Sequence, residues 1–599
     1  MQTQFDAIVV GSGAAGYGAA DWLYDLGRKN IALLTEGRLS GTSRNAGSDK
    51  QTYYKLSLSG EEGDSVRQMA ADLFAGGADG DTALCEAAES VRCFMKLAAL
   101  GVPFPTNPYG EFVGYKTDHD PRRRATSAGP LTSRYMTEAL EGSVLSKGIP
   151  ILDGFTAIQI LTRCGEVCGL LALENATNRP VVFSCANLIL ATGGTAGIYA
   201  DSVFPESQTG GLSLAAQAGA DLCNLHIWQY GLASVRPRWN LSGSYQQCLP
   251  RYLSLDRNGH WREFLPEYFD TPAQALNRVF LKGYEWPFDP EKVEGSSLID
   301  LIVLHESKTL GRRIFLDFRE NPAGLETGFR SLSPDCRSYL GNCGALLGRP
   351  IERLRAINPA AVELYLSKGA DLSAEPLEIA VCAQHQNGGI AVDTNWQTTV
   401  RGLYAVGECA GTFGNRRPGG SALNSGQVGG LRAAEHISRT RPVRAAFPPP
   451  GLPAFTPTPP DHLALRESFA RRMSRSAAVL RDPEEMAALE SDLAAAVDRL
   501  GFPDSAAGQK TLDLLRSARL VIRAMQYAAR REGSTGGGLA LCKDGRPLLN
   551  LHYRPGKEST NILMTAENRN FYRPRRPVPP ADDWFERVWT EFQRRSRPV

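Results

Sequence analysis

The 599 residues carry 66 basic and 64 acidic side chains for a formal net charge of +2, a balance that argues against a surface built to coat nucleic acid. With 42% hydrophobic and 22% charged residues, the composition is that of a soluble globular chain and excludes wholesale disorder. The length divides into about three to five domains, and the 60 glycines point to turns or to backbone pressed against a ligand.

The chain enters a strand almost at once. It shows neither the basic n-region nor the apolar h-region of a signal peptide, and no run of ~18 uncharged apolar residues that would read as a membrane span. The 12 cysteines show no CxxC, CxxCH or Cys/His finger spacing, so no iron–sulfur cluster, covalent haem or metal site of the chain's own is expected. Unpatterned cysteines in a long chain read as reduced and cytoplasmic.

The strongest local signal is Phe5-Asp6-Ala7-Ile8-Val9-Val10, a β-branched strand followed directly by Gly11-Ser12-Gly13-Ala14-Ala15-Gly16 and a helical stretch. A second strand, Asn30 to Thr35, ends at Glu36, 20 residues after Gly16. In this strand–turn–helix–strand–acid order, Gly11 permits the tight turn and Gly13 admits a pyrophosphate. Gly16 lets helix and strand pack closely. The helix N-terminus offers free N–H groups to the phosphates, and Glu36 would accept from ribose hydroxyls. The unit predicts dinucleotide binding without choosing between FAD and NAD.

Two later strands end in glycine-rich turns: Asn187 to Leu190 before Ala191-Thr192-Gly193-Gly194, and Gly402 to Val406 before Gly407-Glu408. A carboxylate at the second strand's end suits the ribityl hydroxyls of a flavin. No second strand–GxGxxG–helix unit is evident, and GQVGG at 426–430 follows no predicted strand, so a separate NAD(P)H domain is not expected.

With these segments the chain resembles the flavoprotein subunit family of succinate dehydrogenase and fumarate reductase, with L-aspartate oxidase and 3-ketosteroid dehydrogenases as relatives. The loop GTSRNAGSD, Leu100-Gly101-Val102-Pro103-Phe104, the stretch after ATGG, and HQNGGIAVDTNWQTTVRGLYAVGECAGTFGNRRPGGSALNSG carry the resemblance. The last is similar to the family's H-x-x-x-GGI, GLYAAGE and N-R-L-G-G-N segments in order. The resemblance implies an α/β fold: a two-dinucleotide-binding-type FAD domain (1–225 and 381–440) interrupted by an α+β capping domain (226–380). A Pro-rich linker (441–461) and a C-terminal helical domain (462–599) follow.

The resemblance also implies site residues. Gly41, Thr42, Ser43, Ala46 and Gly47 would lie under the flavin, and Ser421, Ala422 and Leu423 would reach its pyrimidine edge. His385 would be a substrate-holding donor and Arg417 the carboxylate anchor, as suits a planar guanidinium fork. A lone histidine or arginine is more often plain structure, and only the matched motif lifts these two above that reading. The early loop lacks the family's flavin-linking His, so the FAD is expected to be non-covalent. Trp228-Gln229-Tyr230-Gly231-Leu232-Ala233-Ser234 lacks the His of the family's QxHPT. Arg251 is the nearest stand-in for the proton-delivering Arg, with Tyr252 beside it as a chemically easier donor.

The implied activity is hydride transfer between flavin N5 and a substrate carbon, reducing or forming a C=C conjugated to a carboxylate or carbonyl. The substrate would be an unsaturated acid or carbonyl compound. Electrons would be exchanged with an outside partner such as an iron–sulfur or flavin protein, a nicotinamide or O2. Alternatives are an electron-transfer subunit of a larger redox complex, or an oxidase or dehydrogenase of another small molecule. A tRNA-modifying flavoprotein would want a basic face that +2 does not supply.

Overall fold

The computed structural model describes the chain except residues 1, 62, 206, 207, 327, 440–449, 533, 535, 536, 542–559, 566–568 and 597–599. At its centre is a five-stranded parallel sheet in the order Leu403–Ala405, Asn187–Leu190, Ala7–Val10, Ile31–Thr35, Ile151–Asp153. The strands are short, and all but the edge strand Ile151–Asp153 are buried on both faces, as continuous apolar runs in a parallel sheet require. Helix Ala14–Asp25 packs between the sheet and helix Ser421–Arg439. The discounted GQVGG lies inside that second helix. A Cβ at Gly426 would meet the Ala15 Cβ at 3.2 Å, and one at Gly430 the backbone of Ala19 at 3.1 Å. These glycines serve close helix packing, not a phosphate. A three-stranded antiparallel sheet, Phe155–Arg163, Glu166–Glu174 and Pro180–Ser184, joins the edge.

The intervening segment builds a six-stranded sheet in the order Trp239–Asn240, Trp228–Ser234, Leu377–Gln386, Arg313–Asp317, Arg251–Leu255, Trp261–Glu263. Helices that include Pro272–Tyr284 and Leu298–Leu304 belong to the same segment. Strand Leu377–Gln386 runs through the expected boundary at 380, so cap and FAD domain share one continuous strand.

The C-terminal segment holds helices His462–Ser476, Pro483–Leu500 and Ala506–Glu532. It is not helical throughout. Thr560–Met564 pairs with Leu222–Cys223 and with Asn570–Pro574, and Gly80 N–H donates to the Arg576 carbonyl at 2.7 Å, which ties the far end of the chain back to the FAD domain. Residues 441–449 of the Pro-rich segment lie outside the described residues.

The parallel sheet depends on backbone contacts that no side chain could share. Gly11 has φ +118, and a Cβ there would sit 2.3 Å from the Ala191 carbonyl oxygen; a Cβ at Gly16 would sit 1.9 Å from the Gly11 carbonyl oxygen. Gly16→Val should therefore destabilise the fold by at least the ~1–3 kcal/mol of an overpacked core, read as a lowered unfolding midpoint of the FAD-free protein.

Candidate active site

A cleft of about 660 Å³ runs from the glycine-rich turn to the cap. At one end lies the turn itself. Gly13 is the N-cap of helix Ala14–Asp25, and a Cβ on it would meet nothing nearer than Ser43 Oγ at 3.3 Å. Unlike Gly11 and Gly16, it faces no backbone there, only a side-chain hydroxyl, which suits the close approach of a pyrophosphate. Ser43 Oγ accepts from Ala14 N–H at 3.2 Å, which fixes the early loop over the turn. Thr42 Oγ1 donates to Gln208 Oε1 at 2.8 Å, and Gln208 Nε2 donates to the carbonyls of Thr192 and Gly194 at 2.5 and 3.0 Å. One glutamine thus joins the early loop to the ATGG turn. No motif pointed to it.

The adenosine end is walled by the C-terminal helix Ala506–Glu532, which brings Lys510, Asp513 and Arg516 to the cleft. Lys510 pairs with Glu36. Asp513 accepts from Ser213 Oγ, and burial pushes its carboxyl up to about 6. The expected C-terminal helical domain carried no sign of what this helix covers.

At the other end, the structure brings His385, Glu408 and Arg417 to the same cleft. Arg417 is half-buried. Its Nε and Nη2 both donate to Gln229 Oε1, at 3.0 and 2.6 Å, and its guanidinium lies over the Phe413 ring at 5.6 Å. Burial lowers its pKa to about 10, opposed by Glu408 and Glu86, so it remains a cation near neutral pH. Glu408 Oε1 accepts from Gln386 N–H at 2.8 Å; burial raises its pKa to about 7. Glu86, from helix Gly80–Ala99, accepts from Ser425 Oγ at 2.7 Å and is raised to about 7 for the same reason. Burial, and then Arg417, hold the His385 imidazole well below its usual range, so it is neutral.

Strand Leu377–Gln386 pairs with Trp228–Ser234 through a bulge: Gln229 faces His385, whereas Tyr230 faces Ala383. Gln384 is the extra residue. Consecutive strand residues normally point to opposite faces, but here Gln384 and His385 both line the cleft, as a bulge permits. Gly231 stands two residues after Gln229, where the Q-x-H pattern has its histidine. A Cβ there would meet Gln384 Nε2 at 2.8 Å. Gln384 Oε1 accepts from Trp286 Nε1 at 2.6 Å. The Gln384 amide, held by Trp286, therefore fills the room of the absent imidazole.

Of the expected cofactor contacts, Gly11, Gly13, Ala14, Ala15, Glu36, Gly41, Thr42, Ser43, Ala46, Gly47, Ala191, Thr192, Gly193, Gly407, Glu408, Ala422 and Leu423 line the cleft. Gly16 packs beneath the turn instead. Ser421 turns away and donates to the Pro418 carbonyl at 2.8 Å.

The expectation for Arg251 and Tyr252 is corrected. Arg251 pairs with Asp317, and with Glu320 at 2.6 Å, in a separate depression with Trp261, Arg262 and Glu263. Two carboxylates hold it on the outer part of the cap sheet. Tyr252, pointing to the opposite face of its strand, is buried and donates to Gln246 Oε1 at 2.6 Å. Neither reaches the cleft.

A family model described as "FAD binding domain" matches residues 6–423. The chain belongs to the FAD-binding flavoprotein family of succinate dehydrogenase and fumarate reductase. It uses FAD and is an FAD-dependent oxidoreductase. The flavoprotein is 27% identical over 473 residues to an L-aspartate oxidase of Mesorhizobium japonicum, covering 77% of this chain and 79% of that one. It is 26% identical over 568 residues to an L-aspartate oxidase of Streptomyces coelicolor, covering 89% and 87%. Among solved structures its fold is similar to a quinol–fumarate reductase with menaquinol molecules, at TM-score 0.71, 20% identity and coverage of 97% and 99%. It is also similar to adenylylsulfate reductase of Archaeoglobus fulgidus, at TM-score 0.62, 15% identity and coverage of 98% and 97%. Among the described residues no helix is long and apolar enough to cross a membrane, and no group of three or more His, Cys, Asp or Glu could hold a metal ion.

Because a Cβ at Gly13 would crowd only the Ser43 hydroxyl and no backbone, Gly13→Val should retain the fold but lose FAD. The check is the flavin-to-protein absorbance ratio, alongside an unfolding midpoint close to that of the wild-type apoprotein.

Proposed function

We propose that the flavoprotein oxidises or reduces a small molecule at a carbon adjacent to a carboxylate, with Arg417 as the carboxylate anchor. One observation carries this reading: a half-buried guanidinium held in the FAD cleft beside neutral side chains, Gln229, Gln384, Trp286 and His385. A buried cation without a nearby anion is costly. Its neighbours Glu86 and Glu408 are both carboxyls raised toward neutrality, so an entering carboxylate supplies the compensating charge. The relatives named as L-aspartate oxidases take a carboxylate substrate, which supports the same reading.

Bound FAD supplies hydride acceptance or donation. Arg417 binds the carboxylate and concentrates positive charge where negative charge develops in the transition state. Gln229 holds the guanidinium plane through two of its N–H groups. Trp286, hydrogen-bonded to Gln384, forms the cap side of the wall and excludes water. Electrons return through an external donor or acceptor, because no second redox motif is present in the sequence.

Attachment of the FAD is non-covalent in this reading. Among the described residues that line the cleft there is no cysteine, and the single histidine, His385, is already bonded to Asn387. Acid or heat denaturation should release all the flavin into the supernatant as FAD, and a yellow pellet would refute this. For the anchor, Arg417→Ala should keep its FAD yet slow reoxidation of the photoreduced flavin by unsaturated acids, or reduction by their saturated or amino counterparts, by about 10²-fold or more. Anaerobic stopped-flow absorbance measures it, and an unchanged rate would remove Arg417 from the site.

A further inference from the structure

We propose that Asn387 is a positioning residue that fixes His385 as the Nδ1–H tautomer, leaving its Nε2 as a bare hydrogen-bond acceptor at the Arg417 end of the cleft. This reverses the donor role that the sequence implied for His385.

Two hydrogen bonds determine the tautomer. Asn387 Nδ2 donates to the Gly414 carbonyl at 2.8 Å. That contact orients the amide, because a flipped amide would set its oxygen against the carbonyl oxygen of Gly414. Asn387 Oδ1 is thereby turned to His385 Nδ1, 2.8 Å away. An amide oxygen only accepts, so Nδ1 carries the hydrogen. Asn387 cannot easily turn: it is fully buried, its N–H donates to the Ile227 carbonyl at 3.0 Å, and a Cβ at the next residue, Gly388, would sit 1.9 Å from the Asn224 carbonyl oxygen.

Double protonation would make both ring nitrogens donors. Arg417, which shares the Phe413 ring with His385, opposes it, and burial opposes it too. The neutral ring has one proton, already on Nδ1, and Nε2 is buried with no hydrogen-bond partner. Such an atom leaves a deficit that a ligand donor can make good.

The consequence for substrate choice rests on the proposed carboxylate chemistry; the tautomer does not. A lone pair repels a carboxylate oxygen. Arg417 therefore takes the carboxylate, and His385 takes an N–H or O–H on the neighbouring carbon. The geometry favours an amino or hydroxy acid over a plain dicarboxylate.

The test uses the FAD-loaded protein with ¹⁵N-imidazole histidine, the His385 resonances being identified by their loss in His385→Gln. The expected spectrum shows a protonated Nδ1 and an unprotonated Nε2. Asn387→Ala should shift the proton toward Nε2, the tautomer favoured in free histidine. A protonated Nε2 in the wild type, or an unaltered spectrum in Asn387→Ala, would overturn the proposal. If Asn387→Ala does not fold, the wild-type spectrum decides alone. A second readout titrates the flavin absorbance with succinate and with its 2-amino and 2-hydroxy derivatives. The wild type should prefer the derivatives by roughly tenfold, the worth of one hydrogen bond, and Asn387→Ala should lose the preference. Equal affinities would overturn the acceptor role. The predicted tautomer with no response to any of the acids would overturn the carboxylate reading and leave the tautomer standing.

Discussion

The architecture depends on a set of backbone approaches that only hydrogen-sized side chains allow. Gly16 lies against the Gly11 carbonyl, and Gly11 against that of Ala191. These contacts bring the first helix, the first strand and the ATGG turn into van der Waals distance. They leave Gly13 as the one glycine of the motif that faces a side-chain hydroxyl and no backbone. The same economy recurs in helix Ser421–Arg439, whose glycines let it lie against helix Ala14–Asp25. That helix carries Ala422 and Leu423 to the cleft, so close helix packing sets where the flavin end of the site begins.

Electrostatics at the reactive end follow from burial. Arg417, Glu408, Glu86 and His385 are taken from water together, and each shifts toward its uncharged form. Arginine alone has a pKa high enough to stay ionised through such a shift. The outcome is a cation whose neighbours are close to neutral, with Gln229 rather than a carboxylate holding its fork. A permanent salt bridge there would have spent the charge within the protein.

The cleft is closed from two sides by segments remote in sequence. On the cap side, Lys292 approaches Asp118 at 3.3 Å, and Glu291 pairs with Arg416, the neighbour of the proposed anchor. These pairs are partly exposed and individually weak, which suits a lid that must open for a substrate. On the adenosine side, Lys510 and Asp513 of the C-terminal helix meet Glu36 and Ser213. Strand Thr560–Met564 pairs with Leu222–Cys223 in the FAD domain, so the C-terminal part of the chain is built into the fold rather than appended to it.

Where chemistry is local in the chain, the sequence determined it. The turn at Gly11 to Gly16, the acid at Glu36, the ATGG and Gly-Glu strand ends, and the matched run through His385 and Arg417 are contiguous patterns, and a backbone turn next to a phosphate leaves few other residues free to vary. What required tertiary structure is everything set by register and by contacts across hundreds of residues. A bulge at Gln384, invisible in the run of letters, turns two consecutive side chains into the cleft and lets the Gln384 amide occupy the room beside Gly231. Strand alternation and two carboxylates carried Arg251 and Tyr252 away from the chemistry, although distance along the chain had placed them near it. Asn387, two residues from His385, acquires its meaning only because the Gly414 carbonyl, 27 positions on, orients its amide. Spacing fixes which residues can meet a cofactor, whereas the direction of a single hydrogen bond is decided by the packed backbone around it.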